Sequence, residues 1–428
     1  MSFDLIVRGG ILPDGNIADI GIKGDKIAAI EPRLAAEAGE VVDAAGNLVS
    51  PPFVDPHFHM DATLSYGIPR INASGTLLEG IALWGELKPL LTHEAVRQRA
   101  LAYCDWAVSM GLLAIRSHVD TCDDRLLAVE ALLEVKKEIA PYIDLQLVAF
   151  PQDGFYRSPT ARANTIRALD KGVEIVGGIP HFERTMADGT RSVTELCEIA
   201  AARGLMVDMH CDETDDPNSR HIEQLTYETQ RLGLQGRVNG SHLTSMHSMD
   251  NYYVSKLLPL IAEAGVSACP NPLINIVIQG RHDTYPKRRG MTRVPEMLKA
   301  GIRVGFGQDC VLDPWYPLGT ADMLDVAFMG LHVAQMTSPA DMRRCFDMVT
   351  QTNAEIMGLD YGLEVGKTAS LVVLDAGNPV EALRLRAERL CVVAKGKVVA
   401  TRRKQETQLS LAGRPASVNR RHRTPSQG

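Results

Sequence analysis

Between about Pro51 and about Gly366, short apolar runs alternate with amphipathic stretches long enough to be helices. Eight such runs can be counted: Pro52 to His57, Leu112 to His118, Asp144 to Phe150, Ile175 to His181, Met206 to His210, Arg237 to His242, Val266 to Asn271 and Ile302 to Gln308. Thr92 to Met110, Asp124 to Ile139, Val193 to Arg203, Pro217 to Leu232 and Tyr252 to Ala264 are the clearest helical patterns between them. Repeated strand and helix units of this kind build a parallel sheet. Eight of them over roughly 300 residues fit an α/β fold of the (β/α)8 TIM-barrel type. A doubly wound open sheet is the alternative, but it would usually carry a glycine-rich first turn, and no G-x-G-x-x-G or Walker A segment occurs.

The two ends have a different texture. Asp4 to Arg8 and Lys26 to Ile30 are short β-like runs punctuated by Gly9-Gly10, Asp14-Gly15 and Gly24-Asp25. Ala369 to Leu374 and Cys391 to Ala400, with a Lys395-Gly396 turn inside it, repeat that pattern. Neither end has enough strands to close a core alone, so residues 1–50 and 367–410 are expected to form one discontinuous β-sandwich, with the barrel, 51–366, inserted between them. Residues 411–428, rich in Pro, Ser, Gln and Arg, read as a flexible tail.

Composition excludes several functions. The formal charge is −7, which gives no general positive field for a nucleic acid or an anionic membrane. No run reaches the roughly 18 apolar residues of a membrane span. Met1-Ser2-Phe3-Asp4 is not a basic n-region, so a soluble cytoplasmic protein is expected. The eight cysteines include no C-x-x-C pair, which argues against a disulfide framework or a thiolate zinc module.

Five of the eight runs end at or within one residue of a histidine: His57, His118, His181, His210 and His242, and the eighth leads into Asp309. Barrel strands converge at their C-terminal ends, so these distant residues would meet at one mouth. His57 and His59 lie at i and i+2 and project to one face. With His210 and Asp309 they make three imidazoles and a carboxylate, a set suited to Zn or Fe(II). Glu213, three residues after His210, could ferry protons, or could be an acid at a helix N-terminus. His242 could orient or deprotonate a water. Gln152, with a donor and an acceptor, matches the amide edge of a pyrimidine. His118 and His181, with Asp120 and Glu183 two residues on, could support the site from behind or be strand-end caps, and the caps are the preferred reading.

The segments Val54-Asp55-Pro56-His57-Phe58-His59, Val148-Ala149-Phe150-Pro151-Gln152, His210-Cys211-Asp212-Glu213, Ser241-His242, Gln279-Gly280-Arg281 with Asp283 to Gly290, and Asp313 to Thr320 resemble bacterial cytosine deaminases of the amidohydrolase superfamily. The resemblance covers residues 1 to about 400. It implies that His57, His59, His210 and Asp309 bind one divalent ion per chain, Zn or Fe. It also implies that metal-bound hydroxide attacks C4, that Glu213 is the proton shuttle to the ring nitrogen, and that His242 and Asp309 serve the water. Gln152, Phe150, Leu77, Cys310 and Trp315 are the expected substrate-binding residues. The implied partner is a free nucleobase, with no nucleic acid or membrane, and a homo-oligomer is expected.

One departure carries its own expectation. The family places a second aspartate after the metal-binding one, whereas Asp309 here is followed by Cys310. A smaller, uncharged side chain leaves room for a C5 substituent, so 5-methylcytosine is expected to be a good or preferred substrate, giving thymine plus ammonia as cytosine gives uracil. Other amino-heterocycles, such as isoguanine or a triazine, are the alternative substrates. A catalytically inactive barrel scaffold is the non-enzymatic alternative, and the intact ligand set argues against it.

Overall fold

The computed structural model describes residues 2–418, 420 and 421. Five strands open the chain: β1 (Phe3–Ile11), β2 (Ile17–Lys23), β3 (Lys26–Glu31), β4 (Ala38–Asp43) and β5 (Leu48–Ser50). The barrel strands follow as β6 (Phe53–Phe58), β7 (Leu112–Asp120), β8 (Asp144–Phe150), β9 (Ile175–Gly178), β10 (Met206–Cys211), β11 (Val238–His242) and β12 (Ser267–Cys269). After the barrel come β13 (Leu371–Leu374), β14 (Arg389–Ala394) and β15 (Lys397–Thr401). Strands β6 to β12 pair in sequence order and in parallel, with helices in the connections.

The eighth run closes this sheet without being a regular strand. On one side Ala268 N–H donates to Arg303 O at 2.9 Å and Gly305 N–H to Ala268 O at 3.0 Å. On the other, Asp309 N–H donates to His57 O at 2.8 Å and His59 N–H to Asp309 O at 3.0 Å. Between those points the Asn353 side chain replaces the ladder, donating to Val54 O at 2.7 Å and Phe306 O at 2.9 Å. Gly305 and Gly307 make this possible: a Cβ on Gly305 would lie 1.8 Å from Asn353 Oδ1, and one on Gly307 would lie 2.3 Å from Asn271 Oδ1. The result is the eight-unit barrel expected from the sequence, with a side-chain amide as one of its staves.

The terminal segments do come together. Their eight strands are hydrogen-bonded as one sheet, in the order β15-β14-β13-β5-β1-β2-β3, with β4 also pairing with β1. They enclose a core that includes Leu5, Ile20, Ile22, Leu371 and Val393. Lys395 and Gly396, at φ 47° and 82°, form the tight turn between β14 and β15. Arg389, 3% exposed, ties this sheet to the barrel through Asp322 and through Met110 O at 3.0 Å. Arg421 of the tail reaches Asn47 and Asp375 on the same sheet, while His422 to Gly428 lie outside the described residues. No helix among the described residues is long and apolar enough to cross a membrane.

The helices Thr92 to Met110 and Tyr252 to Ala264 match observed helices His93–Ser109 and Asn251–Ala264 closely. Two others shift. Helix Met186–Arg203 starts seven residues earlier than Val193 because Thr185 caps it, accepting from Asp188 N–H. Helix His221–Arg231 starts later than Pro217, because the Asp212 carboxylate receives His221 N–H and Ile222 N–H and so fixes its first turn.

Candidate metal centre and its cavity

The four expected donors converge. His57, His59, His210 and Asp309 are all buried, and one ligand atom from each lies within 4.8 Å of the others. His59 Nε2 faces His210 Nε2 at 2.9 Å, and Asp309 Oδ1 lies 3.3 Å from His59 Nε2 and 3.5 Å from His57 Nε2. His57 Nε2 has no hydrogen-bond partner despite full burial. Burial first, then the neighbouring imidazoles, holds His210 well below the ordinary histidine pKa. Burial lowers His59 to about 4 against the opposing pull of Asp309. A cation among these donors would supply the partner that the buried His57 Nε2 lacks. Three such nitrogens beside one carboxylate fit a divalent ion, and the site is a metal-binding His/Asp cluster.

The chain reaches this geometry at strand ends. Asp212, His242 and Asp309 adopt φ of 54°, 69° and 68°, a left-handed conformation that costs a side-chain-bearing residue energy and is concentrated at functional sites. His57 is held from behind: Ser241 Oγ lies 2.9 Å from its Nδ1 and donates to Asp208 Oδ1 at 2.9 Å. Asp208 is in turn ion-paired with the fully buried Arg116 at 2.8 Å. Asp208, His57 and His118 also cluster within ligand distance of each other, but Arg116 already neutralises that carboxylate.

Above the cluster is a cavity of about 160 Å³. Gln152, His181, Glu213, Asp309 and Cys310 supply its polar wall, and Leu77, Leu78, Ile81, Ile179, Phe182, Ile274, Ile278 and Trp315 supply most of its apolar one. The Glu213 carboxyl is pushed well above its ordinary value by burial and then by Asp309. The Cys310 thiol is likewise pushed well above its ordinary value, by burial and then by Asp309 and Asp313. It therefore sits in the wall as a neutral group, not as a nucleophilic thiolate.

Two expectations need correction. Phe150, expected to contact substrate, is not among the residues lining the cavity; its ring stacks on His210 with centroids 4.1 Å apart and planes 15° apart. It braces the His210 ring from behind. His118 and His181, read as strand-end caps, belong to the site. His118 is fully buried with its ring 4.3 Å from His57 and 4.5 Å from His210, and His181 lines the cavity beside Glu213, whose N–H lies 3.4 Å from His181 Nδ1.

Two contributors had no signal in the sequence, and a third had a weak one. Asn271 and Asn275 contact His242 from the helix Pro272–Ile278 and the residue before it. That helix has only seven residues, too few for a periodicity. Helix Leu77–Leu87, which brings Leu77, Leu78 and Ile81 to the cavity, is interrupted in sequence by Gly80 and Gly85. Its cap, Thr76 accepting from Glu79 N–H, was the available clue.

Comparison with known proteins agrees with this geometry. Residues 40–400 match the profile of the Amidohydrolase family. The structure of 5-methylcytosine deaminase from Klebsiella pneumoniae liganded with 5-fluorocytosine superposes with a TM-score of 0.89 at 42% identity, covering 94% of this chain and 98% of that one. N-isopropylammelide isopropyl amidohydrolase of Pseudomonas sp. (strain ADP) is 31% identical, over 93% of this chain and 97% of its own length. Pterin deaminase of Rhizobium rhizogenes is 28% identical, over 90% and 86% respectively. With its barrel and the metal-binding cluster at the barrel's mouth, the chain belongs to the amidohydrolase family.

Proposed function

We propose that this enzyme hydrolytically deaminates a free aminopyrimidine and that 5-methylcytosine is its preferred substrate. The observation that carries this reading is the position of Cys310: it lies in the wall of the same cavity that Gln152, Glu213 and Asp309 face. His57, His59, His210 and Asp309 would hold one divalent ion, Zn or Fe. Such an ion supplies Lewis acidity that makes water nucleophilic near neutral pH.

The remaining work falls to side chains. Gln152 offers one donor and one acceptor to the ring's amide edge, which sets its orientation. Leu77 and Trp315 line the cavity beside the ring and exclude water. Water adds through oxygen to C4, and the C4=N3 electron pair moves to N3, which takes a proton from Glu213, held in its acid form by burial. His242 Nε2 and Asp309 Oδ2, 3.8 Å apart, flank the added oxygen, and Asp309 takes one of its two protons. That proton goes on to the amino group, the oxygen's second proton returns to Glu213 as the C4–N bond breaks, and ammonia leaves with the oxo-pyrimidine.

A neutral thiol beside Asp309 favours a methyl group at C5, where a carboxylate would be both larger and charged. One methyl in an apolar pocket is worth about 1–3 kcal/mol, or roughly 10–200-fold in specificity. The decisive test compares kcat/KM for 5-methylcytosine and cytosine before and after Cys310→Asp. The ratio is expected to fall by at least about tenfold. An unchanged ratio contradicts the steric basis of the preference.

A second reading, hydrolysis of an aminotriazine or a pterin, draws on the relatives that carry those names. The apolar groups Leu78, Ile81, Phe182 and Ile278 give it support, because they could accept a substituent on the exocyclic nitrogen.

A further inference from the structure

His242 is faced on its Nδ1 by the side-chain amide of Asn275. Asn275, fully buried, has its orientation fixed by the backbone: its Oδ1 accepts Asn271 N–H at 3.1 Å, so its Nδ2 must be the atom 3.0 Å from His242 Nδ1. Asn271, also fully buried, lies with its Nδ2 3.2 Å from His242 Nδ1 and 3.5 Å from His242 Nε2, so it does not discriminate between the two nitrogens. An N–H donor aimed at one imidazole nitrogen from 3.0 Å, as Asn275 Nδ2 is, requires a lone pair there. An imidazole whose Nδ1 accepts carries its proton on Nε2.

Among the hydrogen-bonding groups around Nδ1, Glu213 is the one that opposes this. Its Oε1 lies 3.2 Å from His242 Nδ1 and, as a carboxylate, would favour a proton there. Asn275 Nδ2 is the nearer group to Nδ1, at 3.0 Å, and it also lies 3.5 Å from that oxygen and can serve it instead. The backbone supports the arrangement. His242 and Leu243 both adopt left-handed conformations, at φ 69° and 53°, which turns the ring so that Nδ1 meets the Asn275 amide and Nε2 points to the cluster.

We propose that Asn275 is a positioning residue that holds His242 as the Nε2–H tautomer, so that His242 offers a hydrogen-bond donor, not a base, to the oxygen added at the substrate carbon. The Asp309 carboxylate, whose Oδ2 lies 3.8 Å from that Nε2, then takes the proton as the water O–H bond breaks and the O–C4 bond forms. His242 keeps its own proton throughout and stabilises the charge developing on that oxygen. The catalytic half of this proposal rests on the hydrolytic reading above; the tautomer itself does not.

Neutron diffraction from a deuterium-exchanged crystal of the zinc-loaded protein tests it directly. Deuterium is expected on His242 Nε2 and none on Nδ1; density on Nδ1 overturns the proposal. Asn275→Asp keeps the acceptor for Asn271 N–H and replaces the donor facing Nδ1 with a second acceptor. It is expected to move the deuterium to Nδ1 and to lower kcat roughly 10²–10³-fold with KM little changed, at unaltered zinc content. An unchanged kcat in a variant that has folded and bound zinc also overturns it. Because the map of the unsubstituted protein needs neither variant nor turnover, the tautomer is decided even if no aminopyrimidine proves to be a substrate, an outcome that would instead defeat the hydrolytic reading.

Discussion

At the scale of single residues, a metal ligand is only as well aimed as the group behind it. His57 presents Nε2 to the cluster because Ser241 receives Nδ1–H and passes its own hydrogen to Asp208, which Arg116 holds in place. Ser241→Ala removes that partner and leaves His57 free to adopt the other tautomer. Metal affinity, measured by competition with a chelator, is expected to weaken roughly 10–100-fold; an unaltered affinity would mean that the strand geometry alone fixes the ring. Much of this scale was legible in the sequence. The His57-x-His59 pair and Asp309 announce themselves by their places at strand ends, because side-chain parity along a strand is a local property. Asn275 does not, since what makes it important is the rotation of a histidine 33 residues away. Phe150 was legible as a site neighbour but not as a brace, because stacking on His210 rather than facing the cavity depends on a rotamer.

At the scale of elements, the helix Leu77–Leu87 and the segment after Asp309 cover the cavity together. Gly80 is where they touch: a Cβ there would lie 2.2 Å from Cδ1 of the Trp315 ring. Alanine is normally the better helix residue by about 1 kcal/mol, so a glycine in mid-helix marks a close approach. Gly80→Ala is expected to displace Trp315, shift tryptophan emission, and lower kcat/KM by tenfold or more, since misplacement by an ångström can cost about 10²-fold. Wild-type kinetics in that variant would remove Trp315 from the site. The same local reading explains which elements could be anticipated. Helix His93–Ser109 has Thr92 as its cap and an unbroken run of helix formers, whereas the eighth barrel strand is broken by Gly305 and Gly307 and completed by Asn353 from a distant helix. Its position was readable, and its irregular pairing was not.

For the whole molecule, burying polar chemistry at the mouth of a barrel leaves a signature in the pH dependence of stability. Asp313 is pushed from its ordinary value of 3.8 up to about 7 by burial, against the opposing effect of the Cys310 thiol and the N–H groups of Trp315 and Tyr316. Asp55 and Asp61 are raised to about 7 for the same first reason. Between pH 3.8 and about 7 the folded chain therefore binds protons that the unfolded chain has lost. The contribution of these groups is fully present below 3.8 and disappears as pH rises through about 7. Asp313→Asn should flatten the fall of stability with pH across that window by up to one proton, about 1.4 kcal/mol per pH unit, read from denaturant midpoints. A slope identical to that of the parent would place Asp313 in contact with water. The joining of the two chain ends into one sheet around the inserted barrel was readable because neither end has enough strands to stand alone, and Arg389 on Asp322 fastens that sheet to the barrel that carries the site.

The most direct test of the proposed chemistry is ammonia release by the metal-replete enzyme from a panel of free bases that includes 5-methylcytosine, cytosine, an N-alkylated aminotriazine and a pterin. The highest kcat/KM is expected for 5-methylcytosine, with cytosine next. Turnover of the triazine or the pterin with neither pyrimidine deaminated would contradict it.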